Sequence, residues 1–228
     1  MSIFLDTGNL DEIKKYSKMG IIRGVTTNPT ILLRDGVTGG IDKIKEQAIL
    51  IANYISPLPL SLEVPTNDAG GMVQWAAIIS GWAKNINVKI HIHGPNGELD
   101  NLEVINLLEH DYDIRVNVTA MMSAQQCLLA AMAGATYVSI FGGRVNNMGY
   151  NCVEEISRLR TLLDRIKNPA QIIVGSTREV LNIIEWLSAG AHIVTVTPAL
   201  LAGMIIHPYS KETVRQFLED AKRCNFSS

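Results

Sequence analysis

The stretch DIRVNVTAMMSAQQCLLAAMAGATYVSIFG, residues Asp113–Gly142, contains one complete strand-helix-strand pattern. Its two ends, Asp113–Thr119 and Thr136–Gly142, are short runs rich in β-branched and apolar residues, which predict strands. The segment SAQQCLLAAMAGA between them has the apolar spacing of an amphipathic helix and reaches a glycine, which helix C-termini favour. The stretch therefore predicts one β-α-β unit.

The same alternation of short apolar runs and longer amphipathic segments extends along the whole chain. Eight β-then-α units in roughly 200 to 250 residues are typical of a closed parallel (β/α)8 TIM barrel of the α/β class, and an open doubly wound sheet is the weaker alternative. The predicted strands are Ile3–Thr7, Gly24–Asn28, Leu60–Val64, Asn87–His93, Asp113–Thr119, Thr136–Gly142, Gln171–Ser176 and His192–Thr197.

No low-complexity linker or change in composition interrupts this pattern, so we expect residues 1–228 to form a single barrel domain. After the last predicted strand, the segment SKETVRQFLEDAKRCNF has an amphipathic pattern with Val214, Phe217, Leu218 and Ala221 on one side. Residues from about 205 to 228 are therefore expected to form a C-terminal helical extension.

Composition restricts the classes of protein to consider. The chain has 228 residues, of which 47% are hydrophobic and 18% charged, as in an apolar soluble globule. Its formal net charge of −2 gives no basic surface for nucleic acid or an anionic membrane, so we expect neither as a partner. Any anionic ligand must be bound by local groups.

The cysteines and the first residues both suggest the cytoplasm. Cys127, Cys152 and Cys224 are odd in number and lack the spacing of a metal site. The opening segment MSIFLDTGN has neither the charged lead nor the apolar run of a signal peptide. We therefore expect a cytoplasmic protein.

Polar side chains recur near the C-terminal ends of the predicted strands, where barrels of this type hold their active sites. Taken singly, each has a structural explanation, since Asp6 or Asn28 could cap the next helix and Thr119 could be an ordinary strand residue. Their clustering on most of the units indicates a functional site. The residues are Asp6, Thr26, Asn28, Glu63, Lys89, Asn117, Thr119, Ser139, Arg144 and Ser176.

Lys89 is the hardest of these residues to explain structurally. Its strand sequence NVKIHIH alternates Val88, Ile90 and Ile92 with polar residues, which places the lysine on the inner face of the barrel. Burial disfavours the charged ammonium, so a neutral amine that can attack carbonyl carbons becomes available. The alternative is a buried ion pair with Asp6 or Glu63, which at a barrel mouth would itself suggest a site.

His91 and His93 follow Lys89 on the same predicted face. Two histidines spaced in this way could be part of a metal site, but the sequence offers no obvious third ligand, and catalytic zinc needs three. We therefore expect no metal, and both histidines could instead be substrate contacts, with His93 facing a substrate hydroxyl or anion.

Several segments together resemble the transaldolase and fructose-6-phosphate aldolase family of class I, Schiff-base aldolases. The resemblance runs from Ile3 to about Met204 and includes GVTTNPTIL, the strand lysine, VNVTAMMSAQQCLLAAMAGATYVSIFGGR and IIVGSTREVLNIIEWLSAGA, in that order. It implies an eight-stranded barrel whose lysine forms an imine with a ketose. It also implies that no metal or organic cofactor is needed, because the imine serves as the electron sink.

The resemblance implies a role for each matching position. Lys89 would be the Schiff-base lysine and Asp6 the acid/base of carbon–carbon cleavage, while Glu63 and Thr119 would hold a proton-relaying water. The other positions would contact the sugar, with the two asparagines gripping the dihydroxyacetone hydroxyls and the aromatic ring lining the pocket. These are Thr26, Asn28, Asn117, Ser139 and Phe141.

At the far end of the sugar, Arg144, Ser176 and Arg178 match the family's phosphate site. Arginine forks suit tetrahedral anions, and the backbone N–H groups that open the helix after GST would add a favourable dipole. Arg178 alone could be a solvated residue of the first helical turn, and Arg34 could be a further anion contact or an ordinary surface residue.

The chain departs from the family at this anion end. Thr177 replaces the usual phenylalanine, and His91 and His93 replace the usual residues after the lysine. We therefore interpret the chain as a transaldolase whose donor ketose carries a terminal phosphate or sulfonate, such as fructose 6-phosphate or 6-deoxy-6-sulfofructose. Glyceraldehyde 3-phosphate would be the acceptor.

Two other activities stay open. One is an aldolase that releases free dihydroxyacetone. The resemblance is weaker there, because such aldolases have Gln and Tyr at the positions that match Glu63 and Phe141. The other is an inactive barrel that binds a sugar phosphate, because one fold hosts many functions.

The resemblance also implies a homo-oligomer. In short members of the family the C-terminal helix crosses to a neighbouring subunit in pentamers that pair into decamers. The alternative is a helix that docks on its own barrel.

Overall fold

The computed structural model describes residues 1–224 and contains a closed barrel of eight parallel strands. The strands pair in chain order, and β8 returns to pair with β1, so the predicted (β/α)8 barrel is confirmed and the open sheet is excluded. The strands are β1 Ser2–Asp6, β2 Val25–Thr26, β3 Leu60–Glu63, β4 Ile86–His91, β5 Val116–Met121, β6 Tyr137–Phe141, β7 Gln171–Gly175 and β8 Ile193–Val196.

Helices follow every strand and cover the outside of the barrel, where apolar helix faces pack against the strands. The helices are α1 Leu10–Lys18, α2 Pro29–Arg34, α3 Ile41–Ile55, α4 Ala69–Ser80, α5 Asn101–His110, α6 Ala124–Met132, α7 Gly142–Asn147, α8 Cys152–Arg165, α9 Val180–Ser188, α10 Pro198–Ile205 and α11 Pro208–Arg223.

Every strand differs from its predicted range by one to three residues at one end or both, and β4 and β5 show the reasons. The predicted strand through His93 was too long, because β4 ends at His91 and His93 lies in the bend that follows. The predicted start of the fifth strand at Asp113 was too early, because Asp113 has a φ of 53°, which an extended strand does not allow. As a result, only His91 stays on the strand with Lys89.

The interior of the barrel is apolar towards the N-terminal ends of the strands. Phe4, Tyr137, Ile173 and Ile193 form a separate buried cluster there, and the rings of Phe4 and Tyr137 meet edge to face with centroids 6.5 Å apart. On β1, β7 and β8, the next inward position along the strand is Asp6, Gly175 or Thr195, and these residues line a pocket. The apolar cluster therefore forms the floor of that pocket.

The C-terminal extension contains a long helix, α11, as predicted, and residues 225–228 of the predicted extension lie outside the described residues. No residue of α11 is buried. Its apolar side is open to solvent, with Val214, Phe217 and Leu218 exposed by 54%, 66% and 61%. Docking of this helix on its own barrel is therefore not what the structure shows.

Within residues 1–224, every helix is too short or too polar to cross a lipid bilayer.

Candidate active site

A pocket of about 160 Å³ opens at the C-terminal ends of the strands. Ten of the predicted site residues line it, and they come from six of the strands or the turns that follow them. They are Asp6, Thr26, Asn28, Lys89, Asn117, Thr119, Ser139, Phe141, Arg144 and Ser176. Parallel strands bring residues that are far apart in sequence to one end of the barrel, which explains this convergence.

Lys89 lies inside the barrel with only 5% of its surface exposed. Its Nζ lies 2.9 Å from Glu63 Oε2 and donates a hydrogen bond of 2.9 Å to the backbone carbonyl of Thr27. The lysine is therefore held in a buried ion pair, with Glu63 rather than Asp6 as its partner. Before the amine can attack a carbonyl carbon it must lose a proton, and Glu63 Oε2 is placed to accept it.

The carboxylate of Glu63 contacts two basic side chains, one with each oxygen. Its Oε2 faces Lys89, and its Oε1 lies 3.0 Å from Nε2 of His91. Burial alone would raise the pKa of this carboxyl, but the Lys89 ammonium and the hydrogen bonds from His91 and Lys89 hold the pKa at about 2. Glu63 is thus ionised near neutral pH and flanks the lysine from outside the pocket lining.

Asp6 has the opposite shift. Burial raises the pKa of Asp6, and this effect exceeds the lowering by the Thr26 hydrogen bond and by the charges of Lys89 and Arg34. The hydroxyl of Thr26 donates to Asp6 Oδ1 at 2.7 Å and also lies 2.5 Å from the hydroxyl of Thr195. The site therefore contains two carboxyl groups whose pKa values are moved apart, a pattern found where two carboxyl groups have different acid/base roles.

A chain of hydrogen bonds fixes the polar wall of the pocket. Ser139 donates to Asn117 Oδ1 at 2.6 Å, and Asn117 Nδ2 donates to the hydroxyl of Ser61 at 3.0 Å. Asn28 caps α2, because its Oδ1 accepts the backbone N–H of Ile31 at 2.9 Å. The capping explanation for Asn28 thus holds, and the residue also lines the pocket. The buried Thr119 hydroxyl makes no hydrogen bond to another group among residues 1–224.

The predicted anion end is built on a close backbone approach. A β-carbon at position 143 would collide with the carbonyl oxygen of Ser176, so only glycine fits where the start of α7 meets the residue after β7. Ser176 itself has a φ of 58°. The guanidinium of Arg144 lies 5.2 Å from the ring centroid of Phe141, which orients it at the pocket mouth.

Four predicted contacts lie outside this pocket. His91 and His93 face a neighbouring open cleft of about 490 Å³, where the ring Nδ1 of His93 lies 2.7 Å from the carbonyl oxygen of Gly94. Arg34 is exposed and binds Asp35, with Nε 2.8 Å from Oδ1. Arg178 is exposed and lies just before α9, whose N-cap is Glu179, so it is a solvated residue beside the helix start and not within the first turn.

Several contributors to the site were missed from the sequence, and three of them take part in its hydrogen bonds. Thr195 lines the pocket beside Thr26, Ser61 extends the Asn117 network, and Thr27 contributes only its carbonyl oxygen. The alternation of β8 could have identified Thr195, since it shares the inward face with Ile193. A backbone contact such as that of Thr27 leaves no trace in the side-chain pattern.

Among residues 1–224, no group of three or more His, Cys, Asp or Glu side chains is arranged to hold a metal ion.

Comparisons with known proteins show which family the chain is similar to. The family model described as transaldolase/fructose-6-phosphate aldolase matches residues 3–228. A probable transaldolase of Carboxydothermus hydrogenoformans is 39% identical over 220 residues, which cover 96% of this chain and 97% of that protein. A probable transaldolase of Desulforudis audaxviator is 36% identical over 223 residues, which cover 98% of each chain.

Solved structures support the architecture. A thiamine phosphate pyrophosphorylase of Pyrococcus furiosus superposes with a TM-score of 0.59 at 9% identity, covering 86% of this chain and 85% of that one. At such low identity the likeness concerns the barrel fold alone. The family match and the relatives, both of nearly full length, show more: the chain belongs to the transaldolase/fructose-6-phosphate aldolase family.

Proposed function

We propose that this protein is a transaldolase that transfers a dihydroxyacetone unit from a ketose with a terminal anion to an aldehyde, through an imine on Lys89. The observation that supports this most is the buried amine of Lys89, paired with ionised Glu63 and close enough to Asp6 for their charges to interact. A nucleophile, a proton acceptor and a second carboxyl group with a raised pKa are the groups that imine formation and carbon–carbon cleavage require.

The first half of the reaction forms the imine. Glu63 Oε2, 2.9 Å from the lysine, accepts a proton from its ammonium, and the amine attacks the ketone carbon of the sugar. The nitrogen passes a proton to the former ketone oxygen to give the carbinolamine. Glu63 then returns its proton to the departing hydroxyl, which leaves as water and gives a protonated imine. Because Glu63 lies beside the pocket and not within it, the carboxylate leaves the sugar's space free.

Cleavage then uses Asp6. This carboxylate takes the proton of the hydroxyl next to the bond that breaks, the bond electrons move into the imine to give an enamine, and an aldehyde leaves. When the acceptor aldehyde enters, the enamine carbon attacks its carbonyl and Asp6 returns the proton to the new alkoxide. Water then hydrolyses the imine and releases the product.

We further propose that the donor anion is a sulfonate, as in 6-deoxy-6-sulfofructose. Arg144 and Lys89 are the two cationic side chains in the pocket lining, and Arg178 does not line it. The hydroxyl of Thr177 donates to the Thr195 carbonyl at 2.9 Å and is thereby engaged within the protein. One guanidinium suits a monoanion better than a phosphate dianion, which favours further cations.

Donor kinetics test both proposals. With glyceraldehyde 3-phosphate as acceptor, we expect kcat/KM for 6-deoxy-6-sulfofructose to exceed that for fructose 6-phosphate by about tenfold or more, the scale of discrimination that one altered polar contact gives. A strong preference for the phosphate would reject the sulfosugar donor. Release of dihydroxyacetone without acceptor, at a rate equal to transfer, would identify an aldolase instead.

We also propose that α11 packs against a second copy of the chain. Val214, Phe217 and Leu218 expose an apolar side that water solvates poorly, and α11 has no buried residue on its own barrel. Native mass spectrometry should then show a homo-oligomer, with a pentamer or decamer expected. The double change Val214→Asp and Phe217→Asp should shift the mass to smaller species, whereas a wild-type monomer at micromolar concentration would contradict the proposal.

A cytoplasmic location remains our proposal. All three cysteines are unpaired, and two of them, Cys127 and Cys152, are buried. Unpaired thiols are usual where the compartment is reducing.

A further inference from the structure

His91 contacts Glu63, the partner of Lys89, from outside the substrate pocket. Its Nε2 lies 3.0 Å from Glu63 Oε1, while the other carboxylate oxygen faces Lys89. His91 does not line the central pocket, and its ring borders the separate cleft of about 490 Å³. The histidine therefore reaches the chemistry only through Glu63.

The direction of the hydrogen bond between His91 and Glu63 can be deduced. Glu63 is ionised near neutral pH, and a carboxylate can only accept hydrogen bonds. Nε2 of His91 must therefore carry a hydrogen and donate it. The imidazole thus donates a hydrogen bond to one carboxylate oxygen of Glu63, and the other oxygen faces Lys89.

The backbone of His91 is held by a hydrogen bond from a buried asparagine. Asn101 of α5, which is only 1% exposed, donates from Nδ2 to the backbone carbonyl of His91 at 2.9 Å. The same nitrogen lies 3.1 Å from Asn67 Oδ1. This buried amide ties the end of β4 to the start of α5, so the imidazole is presented to Glu63 from a rigid strand end.

We propose that His91 is a positioning residue for imine formation: it holds Glu63 by one oxygen so that the other stays against the Lys89 amine. This inference rests on the proposed function. Glu63 has 13% of its side chain exposed and borders the cleft, so without a donor at position 91 its carboxylate can turn towards the cleft. Lys89 would then lose its nearest proton acceptor.

The test compares two replacements. His91→Leu removes the donor, and His91→Gln retains an N–H donor at a similar reach without a titrating ring. We expect His91→Leu to slow borohydride trapping of Lys89 with 6-deoxy-6-sulfofructose, the proposed donor, by about 10- to 100-fold, the loss expected for a hydrogen bond to a charged group. KM should change little, and His91→Gln should stay within about threefold of the wild-type rate, following the same principle that a retained donor keeps the bond.

Controls separate the possible outcomes. His110→Leu, at an exposed histidine near the end of α5, should trap at the wild-type rate, and circular dichroism should show all variants folded. The inference is overturned if His91→Leu is trapped as fast as wild type, if His91→Gln is as slow as His91→Leu, or if KM alone rises. A wild-type protein that is trapped with neither 6-deoxy-6-sulfofructose nor fructose 6-phosphate would overturn the proposed function, and this inference with it.

Discussion

Replacing Lys89 by methionine should abolish transfer and borohydride trapping. Methionine fills a similar volume but has no amine, so neither carbinolamine nor imine can form at that position. Every step of the proposed reaction passes through the covalent intermediate. Turnover should therefore fall by at least about 10⁵-fold, within the range by which enzymes accelerate reactions. Coupled assay of aldehyde release and mass spectrometry of the borohydride-treated protein measure the two effects.

This variant needs a stability control. Removing the lysine leaves the Glu63 carboxylate without its partner at 2.9 Å, and breaking a buried ion pair costs about 3–5 kcal/mol. The double variant Lys89→Met and Glu63→Gln removes the unpaired charge and should recover much of this free energy of unfolding. If the folded double variant cleaved the sugar at the wild-type rate, the imine mechanism would be rejected.

Replacing Asp6 by asparagine should separate the two halves of the reaction. Asp6 acts after the imine has formed, so we expect trapping of Lys89 to persist while kcat for transfer falls by about 10²- to 10⁴-fold, the usual contribution of a general base. Asparagine can still accept the Thr26 hydroxyl that Asp6 Oδ1 accepts at 2.7 Å. Single-turnover trapping beside steady-state transfer checks this, and loss of both activities together would contradict the assigned role.

The same variant should be more stable than wild type at neutral pH. Since burial raises the pKa of Asp6 in the folded protein, ionisation costs more free energy in the folded than in the unfolded chain. Stability is therefore lost as pH rises through the folded pKa, and Asp6→Asn avoids that loss. Urea unfolding at pH 7 and pH 3 should show a gain at pH 7 that disappears at pH 3.

Asp35 provides a matched control for this linkage. Burial alone would raise the pKa of Asp35, but hydrogen bonds from Arg34, Thr7 and Gly8 lower it instead. A lowered pKa in the folded state means that the ionised form stabilises the fold above the unfolded value and that this stability is lost in acid. Asp35→Asn should therefore destabilise the protein at pH 7, opposite in sign to Asp6→Asn.

The sequence predicted the barrel well because its information is periodic. Seven of the eight strands alternate or run apolar over four to six residues, and glycines end several helices, so the units could be counted although β2 has only two residues. Boundaries were less predictable, because β4 ends at His91 and β5 starts after the left-handed Asp113. Those endings depend on contacts such as Asn101 with the His91 carbonyl, which are distant in sequence.

The sequence predicted which residues gather at the site, but not which of them pair with one another. The rule that chemistry lies at the C-terminal strand ends collected Asp6, Lys89 and Asn117 correctly into one pocket. It did not predict that Glu63 would lie beside the pocket with His91 as a second partner. Which of several nearby charges pairs with the lysine depends on strand register, where Glu63 is directly opposite Lys89.

The tight joint between Gly143 and Ser176 limits how this pocket can diverge. Since no side chain can enter that joint, the two backbone segments that carry Arg144 and Thr177 cannot be spread apart by a larger residue at position 143. Variants that accept a substrate with another terminal group must therefore substitute side chains while the backbone at this contact stays the same. A catalogue of substitutions at positions 144, 176 and 177 would then map the range of tail groups this scaffold can select.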